Sequence, residues 1–173
     1  MSETQTGVRV ELAREGAANV ATGLPVLDHL VAELAATARF KLSLEVAPGS
    51  VDEAVAAAGR ALGASLGGLL AANAGLGWAL VPADEALAVA ALERDAEPRF
   101  VTNVDFSDER VGGLATDVAS RFLHELALAA GLNLHVRLME GTDPQHVLSA
   151  IFKAVGAALG QACRPVVDPK EVS

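Results

Sequence analysis

Apolar and polar positions along this chain run in two rhythms that take turns. Val8, Val10 and Leu12 alternate with Arg9 and Glu11, a period of two that predicts a half-buried strand over 7–14, and Glu15-Gly16 then makes a turn. Leu27, Leu30, Val31, Leu34 and Ala38 fall on one stripe at helical spacing, which predicts a helix over 25–38. Phe40, Leu42, Leu44 and Val46 return to alternation with Lys41, Ser43 and Glu45, the mark of a strand with one wet face. A tight loop over 47–50 follows, with Ser50 or Asp52 as the N-cap of a second, Ala-rich helix.

The same order returns downstream. Residues 86–92 and 100–106 read as strands joined by a polar turn over 93–98, and Leu114, Val118, Phe122, Leu126 and Ala130 mark a helix. Leu132, Leu134, Val136 and Leu138 mark the next strand, with Asn133, His135 and Arg137 on its other face. Thr142 or Asp143 can cap a last helix carrying Val147, Ile151 and Leu159, with Pro144 in its first turn. Residues 28–46 lie over 120–138 without a gap: Glu33, Leu34, Ala35, Ala38 and Leu42 recur as Glu125, Leu126, Ala127, Ala130 and Leu134. An internal repeat sets the architecture before any single residue is weighed. The expected fold is an α+β duplicated sandwich of two similar halves, 1–84 and 85–173, forming one unit. Each half should be a mostly antiparallel sheet with two helices packed on one face, its successive strands able to pair as hairpins.

Composition narrows this further. With no Tyr and only Trp78, the core must be built from Ala, Leu and Val, and so must rely on close helix-to-sheet approach. A formal charge of -9 argues against nucleic-acid or anionic-membrane partners. Residues 61–83 carry no charge, but their Gly and Ala content, Asn73 and Pro82 read better as a helix end, a loop and a strand than as a membrane span. The N-terminal residues lack a basic region leading into an apolar one, and Cys163 is the single cysteine. Both suit a cytoplasmic protein.

The chemistry of the chain rests on its four histidines. His29 opens the first helix after Asp28, His135 lies on the non-core face of its strand, and His146 is in the first turn of the last helix. His124 lies beside an apolar stripe and reads as a surface or interface residue. The other three, at element ends or on a wet face, could converge on a metal if the fold brings them together. Asp84 and Glu85 are paired carboxylates at the start of a strand, a place where solvated turn residues outnumber acid–base pairs. Lys153, inside the last helix, can reach an anion or snorkel. No phosphate-cradling Gly-rich loop, Cys pair or nucleophile elbow is present.

Four segments together resemble one family. Thr22-Gly23-Leu24-Pro25-Val26-Leu27-Asp28-His29-Leu30 is similar to the opening of the first helix of imidazoleglycerol-phosphate dehydratases. Val81-Pro82-Ala83-Asp84-Glu85-Ala86-Leu87-Ala88 resembles the family's mid-chain strand start. Ala130-Gly131-Leu132-Asn133-Leu134-His135-Val136 and His146-Val147-Leu148-Ser149-Ala150-Ile151-Phe152-Lys153-Ala154 resemble its last strand and last helix. The resemblance runs in order from about residue 4 to 163. It implies a duplicated α+β sandwich of histidine biosynthesis, a lyase whose dehydration uses manganese ions held by His and Glu from neighbouring subunits. It also implies trimers that pack into an octahedral shell, and a phosphorylated imidazole as ligand.

Carried over position by position, the resemblance makes His29, His135 and His146 metal ligands, Asp28 a catalytic residue and Lys153 a phosphate contact. Departures are as informative. The family's His-His-x-x-Glu motif at the fourth helix reads Gln145-His146 with Ser149 in place of Glu, and the second helix start, 48–53, has no histidine. Gln5 stands at the catalytic Glu, and cannot take up a proton as a carboxylate does. Glu97 replaces a phosphate-binding Arg, and the family's C-terminal Ser-Lys-Gly is not recognisable in 166–173. These losses predict a homo-oligomer built from trimers and short of the full shell. They also predict a pseudoenzyme with no cofactor, or manganese only if a residual site survives. The alternative is a working dehydratase with an altered metal ligand set.

Overall fold

Alternation does build strands, and the helical stripes do build helices. The structure, a computed structural model, describes residues 6–106, 110–111 and 114–166. In chain order these form β1 (Thr6–Leu12), β2 (Ala17–Ala21), α1 (Pro25–Ala38), β3 (Phe40–Val46), α2 (Val51–Ala72), β4 (Leu76–Ala83), β5 (Ala86–Arg94), β6 (Arg99–Thr102), β7 (Arg110–Val111), β8 (Leu114–Ala115), α3 (Thr116–Ala130), β9 (Leu132–Glu140) and α4 (Pro144–Ala162). Ser50 caps α2 by accepting from Glu53 N, and Asp143 caps α4 by accepting from Gln145 N and His146 N.

The strands form two main sheets, ordered β1-β3-β2 and β4-β5-β9-β6, with β7 and β8 a separate ribbon. In the first, β3 runs antiparallel to β1 and parallel to β2; in the second, β9 runs antiparallel to β5 and parallel to β6. The halves therefore match element for element, and β4 widens the second sheet beside β5. Each sheet carries one parallel strand, because the chain crosses by a helix before that pairing closes. The expectation that successive strands pair as hairpins holds for β4 and β5 but fails for β1 and β2, which β3 separates. β2 itself escaped the pattern because Ala-Ala-Asn-Val-Ala buries little more than part of Val20.

The helices lie between the sheets. α1 and α2 pack on the first sheet, α3 and α4 on the second, and α1 meets α4 as α2 meets α3. Gly63 and Gly156 occupy corresponding places in the two crossings. A Cβ at Gly63 would lie 2.5 Å from Leu126 O, and one at Gly156 would lie 2.2 Å from Leu34 O, the repeat partner of Leu126. The close helix-to-sheet approach expected of a small-residue core occurs at Gly77, whose Cβ would lie 2.0 Å from Ala158 O. α2 is long and apolar enough to cross a membrane, but half of its most apolar window is buried in this fold, as in a core helix.

Both α1 and α3 stop on a left-handed residue at the same repeat position: Arg39 (φ 54°) and Gly131 (φ 72°). Near the ends of α1 and α4 the Arg164 guanidinium donates to Ala38 O, Gly160 O, Ala13 O and Arg39 O. Ala38 O and Gly160 O are helix-end carbonyls that lack intrahelical partners. β6 ends at Thr102, short of the expected 106, and the Asn103 side chain continues the pairing by accepting from Leu138 N and donating to Leu138 O. Leu114 lies in β8 rather than in the third helix, which begins at Thr116.

Candidate functional site

The N-terminal turns of α1 and α4 and the tip of the β4–β5 hairpin meet around one groove of about 430 Å³. His29, Glu33, Asp84, His146, Ser149 and Lys153 line it. Two of the three histidines singled out in the sequence are therefore brought together, with Lys153 beside them.

Each wall is set by local chemistry. Pro25 starts α1, and Asp28 in its first turn accepts hydrogen bonds from Thr22 N (2.9 Å) and from the Thr22 hydroxyl. That carboxylate pins the segment before the helix, a positioning task. Next to it, the exposed His29 sets Nε2 3.1 Å from Glu33 Oε1 one turn on, an i,i+4 pair. Glu33 Oε2 accepts from Ser149 Oγ on α4 at 2.7 Å. Thr37 Oγ1 donates to Lys153 O at 2.8 Å, which holds the same two helices together further along.

The opposite wall is the hairpin tip. Asp84 turns the chain in the left-handed region (φ 51°), which Asp tolerates better than most side chains. Glu85 Oε1 then accepts from Asp143 N at 3.1 Å, while Oε2 lies 2.6 Å from His146 Nδ1. His146 Nε2 lies 3.4 Å from Asp84 Oδ2. The backbone N–H of Asp143, with that of Glu85 itself and the His146 ring, holds the Glu85 carboxyl down at about 2. The Glu85 hydrogen bond raises the His146 pKa above 6.5, and the charges of Asp143, Glu85 and Asp84 add to this. Asp84 and Glu85 are exposed residues of the turn, as the sequence suggested, and both also engage His146.

His135 is not in the groove. It lies on the face of the second sheet turned away from the helices, in register with Ala91 and Val101. His124 is exposed on α3, and Gln5 lies outside the described residues. Glu33 is the groove residue that sequence reasoning passed over, although its place four residues after His29 was a legible signal.

The model of the imidazoleglycerol-phosphate dehydratase family matches residues 22–159. The chain belongs to that family. The imidazoleglycerol-phosphate dehydratase of Desulforudis audaxviator is 36% identical over 169 residues, 92% of this chain and 86% of that protein. That of Desulfitobacterium hafniense is 37% identical over 171 residues, 94% of this chain and 86% of that protein. The crystal structure of the Staphylococcus aureus dehydratase superposes with a TM-score of 0.84 at 25% identity, over 94% of this chain and 95% of that one. The Pyrococcus furiosus dehydratase in complex with (S)-C348 shares the fold, with a TM-score of 0.82 at 21% identity over 99% and 96% of the two chains. The duplicated α+β sandwich expected from the repeat is the fold of these dehydratases.

Family membership raises the question of manganese. Among the described residues no three His, Cys, Asp or Glu side chains converge as a metal needs. His29 and His146 each face carboxylates of the same chain, with His135 on the far face of a sheet. Within one chain the described residues therefore assemble no complete ligand set for the ions, which the resemblance places between neighbouring subunits.

Proposed function

We propose that this chain is an imidazoleglycerol-phosphate dehydratase of histidine biosynthesis that works with an altered ligand set. The observation that carries the reading is the groove itself: two carboxylate-paired imidazoles and Lys153 share its walls in a family member matched over most of its length. Removing water from a glycerol phosphate breaks a C–H bond and a C–O bond. A base takes the carbon-bound proton, an acid gives a proton to the departing hydroxyl, and the enol left behind becomes a ketone. His146, whose pKa the Glu85 hydrogen bond raises, suits the acid, and the Glu33–His29 pair suits the base. Lys153 suits the phosphate as a point charge. Asp28 supports α1 behind His29 rather than meeting the ligand. Work in the cytoplasm as a homo-oligomer built from trimers, without nucleic-acid or membrane partners, belongs to the same reading.

A second reading has its own support. Gln145 and Ser149, standing where the family motif has a His and a Glu, favour a pseudoenzyme that binds a phosphorylated imidazole, or assembles, without turning it over. Incubating the purified chain with imidazoleglycerol phosphate, with and without added manganese, separates the two. Ketone product establishes the dehydratase, and its absence at every manganese concentration, with binding retained, establishes the second reading.

A further inference from the structure

Position 149, on the first turns of α4, carries a serine where the dehydratase motif has a glutamate, so that helix brings no carboxylate of its own to the groove. The groove nevertheless has one at that spot. Glu33, from α1, reaches across and accepts from Ser149 Oγ at 2.7 Å. Its other oxygen lies 3.1 Å from His29 Nε2. One side chain thus joins a residue on its own helix to a residue on the facing helix, 116 positions away. Its own side chain is largely buried, at 18% exposure, whereas the His29 ring it meets is 67% exposed.

We propose that Glu33 is the positioning residue of the groove, supplying from α1 the carboxylate that α4 lacks and setting the His29 ring for the ligand. The chemistry is that of an acceptor with two oxygens. A carboxylate offers only lone pairs, so the His29 nitrogen facing it is one that carries a proton. An exposed imidazole is otherwise free to rotate, and ordering it on binding costs affinity. Glu33 removes that cost because Ser149 and the α1–α4 packing at Gly156 hold the carboxylate in place. The inference rests on the groove being the binding site of a phosphorylated imidazole.

Calorimetric titration of imidazoleglycerol phosphate into the full chain and three variants tests it. Glu33→Leu, which removes both contacts, is expected to weaken binding about tenfold. Ser149→Ala, which removes one of the two anchors without touching α1, is expected to weaken it about threefold. Glu33→Gln rescues binding to near the wild-type level, since its amide oxygen accepts from His29 and its amide N–H donates to the serine oxygen. Thermal unfolding, followed in parallel, is expected to move little in the glutamine and serine variants, so a loss of affinity in the latter cannot be read as loss of fold. Undiminished binding in Glu33→Leu, or a Glu33→Gln variant as weak as Glu33→Leu, overturns the role of Glu33 alone. A wild-type chain that does not bind the ligand overturns the reading of the groove together with it.

Discussion

Glu85 holds His146 with Oε2 2.6 Å from Nδ1, from a hairpin tip 61 residues earlier in the chain. The other oxygen of the same carboxylate accepts from Asp143 N, the backbone of the residue that caps α4. One side chain thereby joins the hairpin to the helix start and fixes a ring in the groove. Glu85 is exposed and His146 only half-buried, so the link is sensitive to salt as well as pH.

This pair should show in titration. The folded-state pKa of His146 is raised above 6.5, so its contribution to stability is fully present below 6.5 and is lost as pH rises through the folded value. The pKa of Glu85 is lowered from 4.5 to about 2, so its contribution is present above 4.5 and is lost as pH falls toward 2. Glu85→Gln is therefore expected to bring the His146 midpoint, followed by NMR, down toward 6.5. The gap in melting temperature between wild type and variant should be widest between pH 4.5 and 6.5 and narrow on both sides. A His146 midpoint that ignores the substitution would show that the two groups do not interact in solution.

The helix crossings make a second set of predictions. Gly63→Ala and Gly156→Ala push a methyl into Leu126 O and Leu34 O, and each is expected to cost about 1–3 kcal/mol. Gly67, one turn beyond Gly63 on the same helix, meets nothing within 4 Å. Gly67→Ala is expected to stabilise by roughly 0.5–1 kcal/mol, because alanine loses less backbone freedom on folding. Denaturant unfolding of the three variants measures both signs, and equal losses at Gly63 and Gly67 would refute the packing account.

The outer faces of the two sheets differ in kind. The first presents Arg9, Glu11, Asn19, Lys41 and Ser43, whereas β4 presents Leu76, Trp78 and Leu80 at 60%, 64% and 51% exposure. Exposed apolar residues gathered on one sheet face mark a surface for association. If copies of the chain meet there, Trp78→Lys should lower the mass measured by light scattering while leaving the far-UV circular dichroism unchanged. A wild-type chain that runs as a monomer would rule out assembly through this face.

Much of the fold was legible because its signals are local. Strand alternation over Phe40–Val46 and the stripe of Leu27, Leu30, Val31 and Leu34 each report a single element against its own core, and both elements appear with the expected bounds. The caps were legible to within two candidates each, Ser50 or Asp52 and Thr142 or Asp143, since a cap reaches only two or three residues, and the structure selects Ser50 and Asp143. β2 was not legible, because an edge strand that buries little carries little alternation, and what defines it is hydrogen bonding to β3.

The site divides along the same line. Sequence by itself determined that the chain is a duplicated helix-and-strand unit of the dehydratase family, that its fourth helix opens with Gln145, His146 and Ser149, and that His29, His146 and Lys153 were the residues to watch. Only the tertiary structure decided that these three share a groove while His135 faces outward from the second sheet, and that Glu33 and Glu85 take the two imidazoles. The reason is physical. Helical spacing could place Glu33 beside His29, but its bond to Ser149 depends on how α1 and α4 cross. That crossing is set by the backbone approach at Gly156, and no periodicity along one segment records it.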